Sequence, residues 1–206
     1  MYLSRLTLNA RHNRTKSELD RPYEMHRTLC NAWEDPKTAR ILWRPDRDTF
    51  GIVSVIVQSL TKPEWSSLDV PDEYLQAVDG PKTLILSALR ENQRLRFRLR
   101  CRPCKRINTA GHPNFGKRKG LTAKKDILDW LRRKAAGNGF EVIDVAFDRI
   151  YWQDSKGGTD GKPLIGAVVF EGTLRVLDTE KFQLAIRTGV GPQKAFGFGL
   201  LSVAPA

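Results

Sequence analysis

The chain has 206 residues, and its 35 Lys and Arg against 23 Asp and Glu give a formal net charge of +12. With 40% apolar residues it can bury a core, which excludes a wholly disordered protein, and its longest apolar run, residues 52–57, is far shorter than the ~20 residues of a membrane helix. No signal-peptide pattern follows Met1, so we expect a cytoplasmic protein without a membrane contact. The positive charge predicts a polyanionic partner, with nucleic acid as the first candidate.

Strand and helix signals alternate in the first half of the chain. We predict a strand at residues 2–9, a helix at residues 22–33 that Asp20 caps, and strands at residues 41–43 and 50–58 with a turn at 44–48 between them. Residues 63–79 are polar and give no clear assignment. The order strand, helix, strand, strand fits a diverged ferredoxin-like unit.

The second half is patterned more clearly. Arginine alternates strictly with apolar residues at 94–100, which predicts a half-buried strand with a cationic outer face. The elements that we predict after it are a basic loop at 109–120, a helix at 122–136, a strand at 140–147, a hairpin-like stretch at 151–162, a strand at 164–177 interrupted at 171–172, a helix at 178–187 and a strand at 198–203. This β-α-β-β-α-β order predicts an α+β fold of two tandem ferredoxin-like (RRM-like) domains, at residues 1–90 and 91–206.

The three cysteines, Cys30, Cys101 and Cys104, are too few for a disulfide framework, which favours a reducing compartment. Cys101 and Cys104 have CxxC spacing, but the sequence contains no second pair at zinc-binding spacing, and Pro103 and a run of Arg accompany the pair instead of a helix. We interpret the pair as incidental at a strand end, and we predict no metal and no cofactor.

Tyr23 and His26 form the most informative pair in the sequence. Three residues apart on one helix, they are expected side by side at the border of the apolar stripe that Met25 and Leu29 begin. A half-sheltered histidine with a pKa near ~6.5 can take and return a proton, and the tyrosine can donate a hydrogen bond or stack on a base. Spacing alone also fits an ordinary histidine at the edge of a core. The other two histidines, His12 and His112, fall in predicted loops and are expected at the surface.

Basic residues cluster in the second half without acidic partners. Lys105 and Arg106, and residues 117–119 with Lys117, Arg118 and Lys119, flank a loop whose backbone N–H groups can also reach phosphate. We interpret residues 132–134, which are also basic, as the solvated face of a helix. The uncompensated clusters predict contacts to nucleic-acid phosphates.

A glycine-rich turn with Gly189, Gly191, Gly197 and Gly199 precedes the last strand. It is neither a dinucleotide fingerprint, because a helix precedes it and a strand follows, nor a Walker loop, because no GK[ST] is present. Its glycines would let phosphate or ribose approach closely; a tight connection between helix and strand is the alternative.

These pieces together resemble the CasE family of CRISPR-associated endoribonucleases, which process repeat RNA. The matching segments span nearly the whole chain in order and are residues 1–4, 22–29, 95–100, 169–172 and 189–205. The resemblance implies metal-independent cleavage of CRISPR repeat RNA 3′ of its stem-loop. It also implies that the protein, a monomer on its RNA, retains the crRNA product within the Cascade complex beside other Cascade subunits.

The resemblance places the active-site tyrosine and histidine of the family on Tyr23 and His26. The RNA-binding residues that we predict with it are Arg27, Lys105, Arg106, Lys117, Arg118, Lys119, Arg149, Lys156 and Lys194, together with the four glycines of the turn. One stretch departs from the family, whose members often present a strongly basic hairpin to the RNA stem. Residues 149–162 hold only Arg149, Lys156 and Lys162 among glycines and acids, so stem recognition is expected to rely more on the other basic clusters.

The expected reaction is attack of a ribose 2′-OH on its own phosphate, giving a 2′,3′-cyclic phosphate and a 5′-OH. His26 would act as general base or general acid, Tyr23 would orient the 2′-OH or the base, and a nearby Lys or Arg would stabilise the phosphorane. Two alternatives remain: an RNA-binding subunit that cleaves nothing, and a regulator that binds duplex DNA. The second is disfavoured because the helix at 122–136 lacks a base-reading pattern.

Overall fold

The computed structural model describes residues 1–47, 50–107, 117–152 and 165–206. Its strands are β1 (Tyr2–Leu8), β2 (Leu42–Arg47), β3 (Val53–Ser59), β4 (Leu75–Thr83), β5 (Arg94–Cys101), β6 (Cys104–Ile107), β7 (Lys117–Gly120), β8 (Phe140–Trp152), β9 (Ile165–Val176) and β10 (Leu201–Pro205). Its helices are α1 (Asn13–Asp20), α2 (Pro22–Cys30), α3 (Pro36–Ala39), α4 (Lys124–Gly137) and α5 (Thr179–Thr188), with 3₁₀ turns at Trp65–Ser67, Leu86–Ala88 and Lys194–Phe196.

Two four-stranded antiparallel sheets confirm the predicted fold class. The first sheet has the order β2-β3-β1-β4 and the second has the order β10-β5-β9-β8, so each follows the same ferredoxin-like arrangement. In the second half, helices α4 and α5 fill both crossovers, whereas in the first half a 3₁₀ turn at Trp65–Ser67 stands between β3 and β4. The division at residue 90 stays a prediction; β4 ends at Thr83 and β5 begins at Arg94.

Each sheet has its own apolar core. In the first half, Met25 and Leu29 of α2 pack with Trp43 and Val55, and all four are almost fully buried. In the second half, α4 and α5 bury Trp130, Leu131 and Phe182 against β5 and β9. The observed apolar face of α2 is the one predicted from the helical spacing of Met25 and Leu29.

Buried polar contacts join the two halves. Arg44 of β2 is 4% exposed and forms a bidentate ion pair with Asp46 at 2.9 Å. It also donates to the Ser202 hydroxyl of β10, in the other half, at 3.0 Å. The Gln58 amide donates to the carbonyl oxygen of Ile186 in α5 at 2.7 Å. Removing one partner of a buried hydrogen bond leaves the other unsatisfied and destabilises the protein. These contacts therefore fix the two sheets relative to each other.

The same junction corrects the predicted cationic face of β5. Arg94 and Arg96 are exposed, but Arg100 is 6% exposed and lies over the Phe198 ring at 5.4 Å. Burial is the largest of the effects that lower the pKa of Arg100 to about 10; Asp46 opposes the shift and Arg44 adds to it. The inner end of the face therefore belongs to the junction between the halves.

A buried carboxyl group ties α1 to α2. Glu18 is 4% exposed and accepts hydrogen bonds from Arg14 at 2.8 Å, from Thr28 at 2.6 Å and from the Tyr74 hydroxyl. Burial, helped by Glu18, raises the pKa of Tyr74, so its hydroxyl keeps the proton that it donates. This network holds α2 in place.

Helix α1 is absent from the sequence prediction and changes its surroundings. His12, expected in a loop, caps α1 by accepting from the Arg14 backbone N–H at 3.1 Å. Asp20 ends α1, so Arg21 takes the N-cap position of α2 that we expected for Asp20. Helix α2 also stops at Cys30, three residues earlier than predicted.

Several strands differ from the prediction, and β8 runs to Trp152 where the predicted strand ends at residue 147. The expected turn at 44–48 is largely strand, because Arg44 to Arg47 pair with β3, and β4 occupies part of the unassigned stretch. Strand β9 runs through Gly172 without interruption. The irregularity lies opposite, between Val142 and Asp144 of β8, where a Cβ on Gly172 would collide with the Asp144 carbonyl.

The outer parts of the basic loop and the hairpin-like stretch, with His112 and Lys156, lie outside the described residues. Strand β6 precedes the predicted basic loop, and strand β7 forms the last four residues of it, which corrects that part of the loop to strand. In the described ranges, none of the helices has the length and apolar character needed to span a membrane.

Replacing Glu18 by Ala is expected to lower the free energy of unfolding by about 3–5 kcal/mol, because Arg14, Thr28 and Tyr74 lose a shared buried partner. Glu24→Ala is the matched control, since Glu24 forms only a surface ion pair with Arg27 and should change stability by less than ~1 kcal/mol. Urea denaturation measures both. Small and equal losses of unfolding free energy in both variants would show that the network does not hold α2 in place.

Candidate active site

Helix α2 places Tyr23 and His26 next to each other at the protein surface. Pro22 occupies the first helical position, and Met25 and Leu29 anchor the opposite face in the core. Tyr23 is 51% exposed and His26 is half-buried, with their ring centroids 6.4 Å apart and their planes at 46°. The predicted neighbourhood is present; the catalytic roles remain a prediction.

The environment of His26 favours its neutral form. Burial lowers its pKa from the ordinary value of 6.5. Its Nδ1 is buried and has no hydrogen-bond partner among the described residues, while its Nε2 lies 3.8 Å from Sγ of Cys30, one turn further along α2. Burial raises the pKa of the Cys30 thiol, so the sulfur next to the imidazole carries no charge at neutral pH. The imidazole can therefore accept a proton.

Phe196 of the glycine-rich turn packs on Tyr23 from the other half of the chain. The two ring centroids are 5.9 Å apart, with their planes at 37°. Phe196 was not among the residues predicted for the site. Its position beside Gly197, within the matching segment 189–205, is the only signal that could have indicated it. The candidate active site is therefore formed by residues from both halves of the chain.

The glycines of the turn are required by the fold. All four have positive φ, between 74° and 91°. A Cβ at Gly197 would lie 3.0 Å from the Trp43 ring, and a Cβ at Gly191 would lie 3.2 Å from the Trp130 ring. Phe198, between Gly197 and Gly199, is fully buried. Gly191 and Gly197 therefore allow a close approach to the protein's own tryptophans, and the alternative of a tight connection between helix and strand describes the geometry. A role of the turn in RNA binding stays a prediction.

A cleft of about 580 Å³ opens on the other side of the turn. The residues that line it come from β6, β7, α4 and the turn, and include Arg106, Arg118, Trp130, Arg133, Lys134 and Lys194. Lys194 donates to the Gly191 carbonyl oxygen at 3.0 Å, and its pKa is lowered by burial first and then by Lys134 and Arg40. The structure thus adds Arg40 to the basic residues named earlier. It also corrects the interpretation of residues 132–134 as a solvated face, because Arg133 and the half-buried Lys134 line the cleft.

The other predicted RNA-binding residues are spread over the surface. Arg27 is exposed beside His26 and pairs with Glu24 at 3.0 Å. The hairpin β6–β7 sets Lys105 opposite Lys119 and Arg106 opposite Arg118, which are like-charge pairs that destabilise a ladder. Lys117 pairs with Ile107 in the same hairpin. Arg149 is exposed on β8, away from the residues lining the cleft.

All three cysteines are free thiols. Cys101 ends β5 and Cys104 begins β6, as expected for an incidental pair at a strand end. Within the part of the chain that the structure describes, no three His, Cys, Asp or Glu side chains are grouped as metal ligands would be.

Comparison with known proteins gives consistent matches. A family model described as "CRISPR associated protein" matches residues 1–205. The CRISPR-associated endoribonuclease Cse3 of Thermus thermophilus is 40% identical over the full length of both chains. The Cascade subunit CasE of Escherichia coli K12 is 36% identical over 54% of this chain and 58% of its own length.

Solved structures agree with these matches. Thermus thermophilus Cse3 bound to an RNA representing a pre-cleavage complex superposes with a TM-score of 0.85 at 38% identity, covering 99% of this chain and 98% of that one. Cas6e of Escherichia coli K-12 superposes over the full length of both chains with a TM-score of 0.68 at 26% identity.

In the free protein, His26 is expected to titrate below pH 6.5, because burial disfavours the imidazolium. As pH falls, the neutral ring should persist to lower pH than in an unfolded chain. NMR titration of the imidazole protons measures this, with the signal assigned by its loss in His26→Ala. The urea-unfolded protein is the control and should titrate near ~6.5; an equal or higher midpoint in the folded protein would contradict the expectation.

Gly197→Ala is expected to destabilise the protein by at least ~1–2 kcal/mol, because an L-residue at φ +74° is strained and its Cβ would press on Trp43. Gly137→Ala provides the matched control. Gly137 ends α4 with no atom within 4 Å of an added Cβ, so stability should be unchanged or slightly higher. Thermal or urea denaturation compares the two, and equal stability of both variants would show that the turn tolerates a side chain.

Proposed function

This chain belongs to the Cse3/CasE family of CRISPR-associated endoribonucleases, and we propose that it cleaves CRISPR repeat RNA 3′ of its stem-loop. The observation that carries the proposal is the half-buried, neutral His26 beside the exposed Tyr23, on a surface that adjoins a cation-lined cleft. A polyanion can reach such a place, and a neutral imidazole can take up a proton there.

The reaction is internal to the RNA. The 2′-oxygen of the scissile nucleotide attacks its own phosphorus, so that a P–O2′ bond forms and the P–O5′ bond breaks. The 2′-OH proton leaves to a base, and the departing 5′-oxygen receives a proton, which gives a 2′,3′-cyclic phosphate and a 5′-OH. No water is consumed and no electrons are transferred.

His26 moves one of these protons. Because burial lowers its pKa, the free protein presents the form that accepts a proton, which supports the role of general base; the protonated ring that results can then serve as general acid. Tyr23, three residues before it, orients the 2′-OH or stacks on the base. Phe196 supports the Tyr23 ring from the opposite half.

Cations near the pair stabilise the charge that develops on the phosphorane. Arg27 follows His26 directly on α2, and Lys194 stands two residues before Phe196 on the turn. The like-charge pairs of β6–β7 support RNA binding by this hairpin, since an anionic ligand would relieve their repulsion. Arg149 and Lys156 stay predicted contacts to the stem.

Product retention within Cascade is part of the proposal. The Escherichia coli relative is named a Cascade subunit, and a protein that holds RNA through many phosphates releases it slowly at moderate salt. We expect the chain to act in the cytoplasm as a monomer on crRNA, beside other Cascade subunits and without a cofactor.

His26→Ala is expected to slow single-turnover cleavage of a repeat RNA by about 10²–10⁴-fold, because a general acid–base group is lost, while leaving RNA affinity nearly unchanged. A repeat RNA with 2′-deoxyribose at the scissile nucleotide should bind and resist cleavage, and EDTA should leave the wild-type rate unchanged. His12→Ala, a histidine change at the cap of α1, is the control and should cleave at close to the wild-type rate.

Normal cleavage of the deoxy substrate would rule out attack by the 2′-oxygen. A wild-type rate in His26→Ala would leave His26 as an ordinary histidine at the edge of the core. A wild-type protein that binds the repeat and never cleaves it would favour the alternative of a non-catalytic RNA-binding subunit.

A further inference from the structure

The cleft beside the glycine-rich turn is lined by positively charged side chains. Its lining residues include five cations, and neither Asp nor Glu is among the lining residues that the structure describes; the cations are Arg106, Arg118, Arg133, Lys134 and Lys194. Several basic side chains elsewhere on the protein have acidic partners, as Arg98 has with Glu171 at 3.0 Å and Arg175 has with Glu141. The cleft therefore has the electrostatic character of a binding site for an anion.

The end of α4 contributes to this cleft, although its sequence predicts only a solvated basic face. Consecutive helical residues are rotated by ~100°, so Arg132 and Lys134 point in nearly opposite directions. Arg132 is exposed and pairs with Asp129 at 3.3 Å, whereas Lys134 is half-buried and its ammonium lies 5.9 Å from the centre of the Trp130 ring. Arg133 lines the cleft beside Lys134.

Like charges stand close together in the cleft. Arg106 and Arg118 face each other across the β6–β7 ladder, and Lys134 lies near enough to Lys194 to disfavour its charged form. Arg40, a non-glycine residue with φ +46°, adds a further cation near Lys194. Such an arrangement is unfavourable in the empty protein and becomes favourable when an anion lies between the cations.

The turn connects the cleft to the candidate active site. Lys194, which lines the cleft, and Phe196, which packs on Tyr23, lie two residues apart on one 3₁₀ turn with a rise of ~2 Å per residue. The cleft and the candidate active site are therefore close enough for one RNA strand to contact both.

We propose that Arg133 and Lys134 of α4, together with Lys194, form a binding site for the RNA backbone phosphates adjacent to the scissile phosphate. This inference rests on the proposed function, because the position of the cut defines which phosphates reach the cleft. It assigns to the end of α4 a role in holding the strand that enters or leaves the active site.

The test compares neighbouring positions on one helix. Lys134→Gln and Arg133→Gln each remove one charge from the cleft, and Arg132→Gln removes the same charge from the outer face of α4. Binding is measured with repeat RNA carrying 2′-deoxyribose at the cut, over a series of salt concentrations, and cleavage is measured with the all-ribose RNA. Lys134→Arg, which keeps the charge, serves as the rescue variant, and thermal melts check that each variant is folded.

We expect Lys134→Gln and Arg133→Gln to raise Kd about 10-fold and to reduce the salt slope by about 0.7–0.9 per lost contact. Arg132→Gln should stay within about 2-fold of the wild type, and Lys134→Arg should recover most of the affinity. Cleavage at saturating enzyme should fall less than affinity, because the lost contacts hold the strand and move no proton.

Equal losses of affinity for Arg132→Gln and Lys134→Gln would overturn the proposal, since they would reflect the overall field of the protein. Unchanged RNA affinity in both cleft variants would also overturn the proposal. So would a loss of affinity for duplex DNA of the same sequence that is as large as the loss for the RNA. Failure of the proposed function has a different signature: the wild type and Arg132→Gln would then bind the repeat RNA without cleaving it.

Discussion

The close approach of the glycine-rich turn to two tryptophans is the constraint on which the candidate active site depends. Gly197 lies against Trp43 of the first half and Gly191 lies against Trp130 of the second half, and positive φ at both positions lets the backbone come this close. From this one turn, Phe196 reaches Tyr23 and Lys194 reaches the cleft. The pair proposed for proton transfer and the site proposed for phosphates thus share a single support, although α2 and α4 are far apart in sequence.

Burial decides what the charged and titratable groups can do. At the junction of the sheets, the buried Arg44 forms an ion pair with the half-buried Asp46 and donates to Ser202 of the other half. At the surface of α2, partial burial lowers the pKa of His26 and so favours its neutral form, and the Glu18 network connects α2 to α1. Much of the remaining positive charge is gathered without nearby acids, on β6–β7 and along the cleft. The net charge of +12 is therefore distributed between structural ion pairs and surfaces suited to a polyanion.

Local patterns predicted what depends on local contacts. Alternation identified β5, helical spacing identified α4 and α5, and three-residue spacing placed Tyr23 beside His26. Tertiary contacts decided the rest. Residues 44–47 have the composition of a turn but form a strand because they pair with β3. Helix α1 has a weak apolar pattern and depends on the buried Glu18 network. Two features could not be predicted from the sequence: the contact of Phe196 with Tyr23, and the position of Lys134 in the lining of the cleft. In both cases the residues that come together are distant in sequence. The roles of Tyr23 and His26 came from the family resemblance, and spacing alone could not assign them.

The central claim is that the RNA supplies its own nucleophile while His26 handles the proton. Mass spectrometry of the products from wild-type cleavage of a repeat RNA, with EDTA present throughout, tests most directly whether the RNA supplies the nucleophile. The account predicts a 5′ fragment that ends in a 2′,3′-cyclic phosphate, lighter by one water than the linear 3′-phosphate, and a 3′ fragment that begins with a 5′-OH. A 5′ fragment ending in a 3′-OH, with a phosphate on the 5′ end of the other fragment, would show that an external nucleophile attacks and would contradict the account.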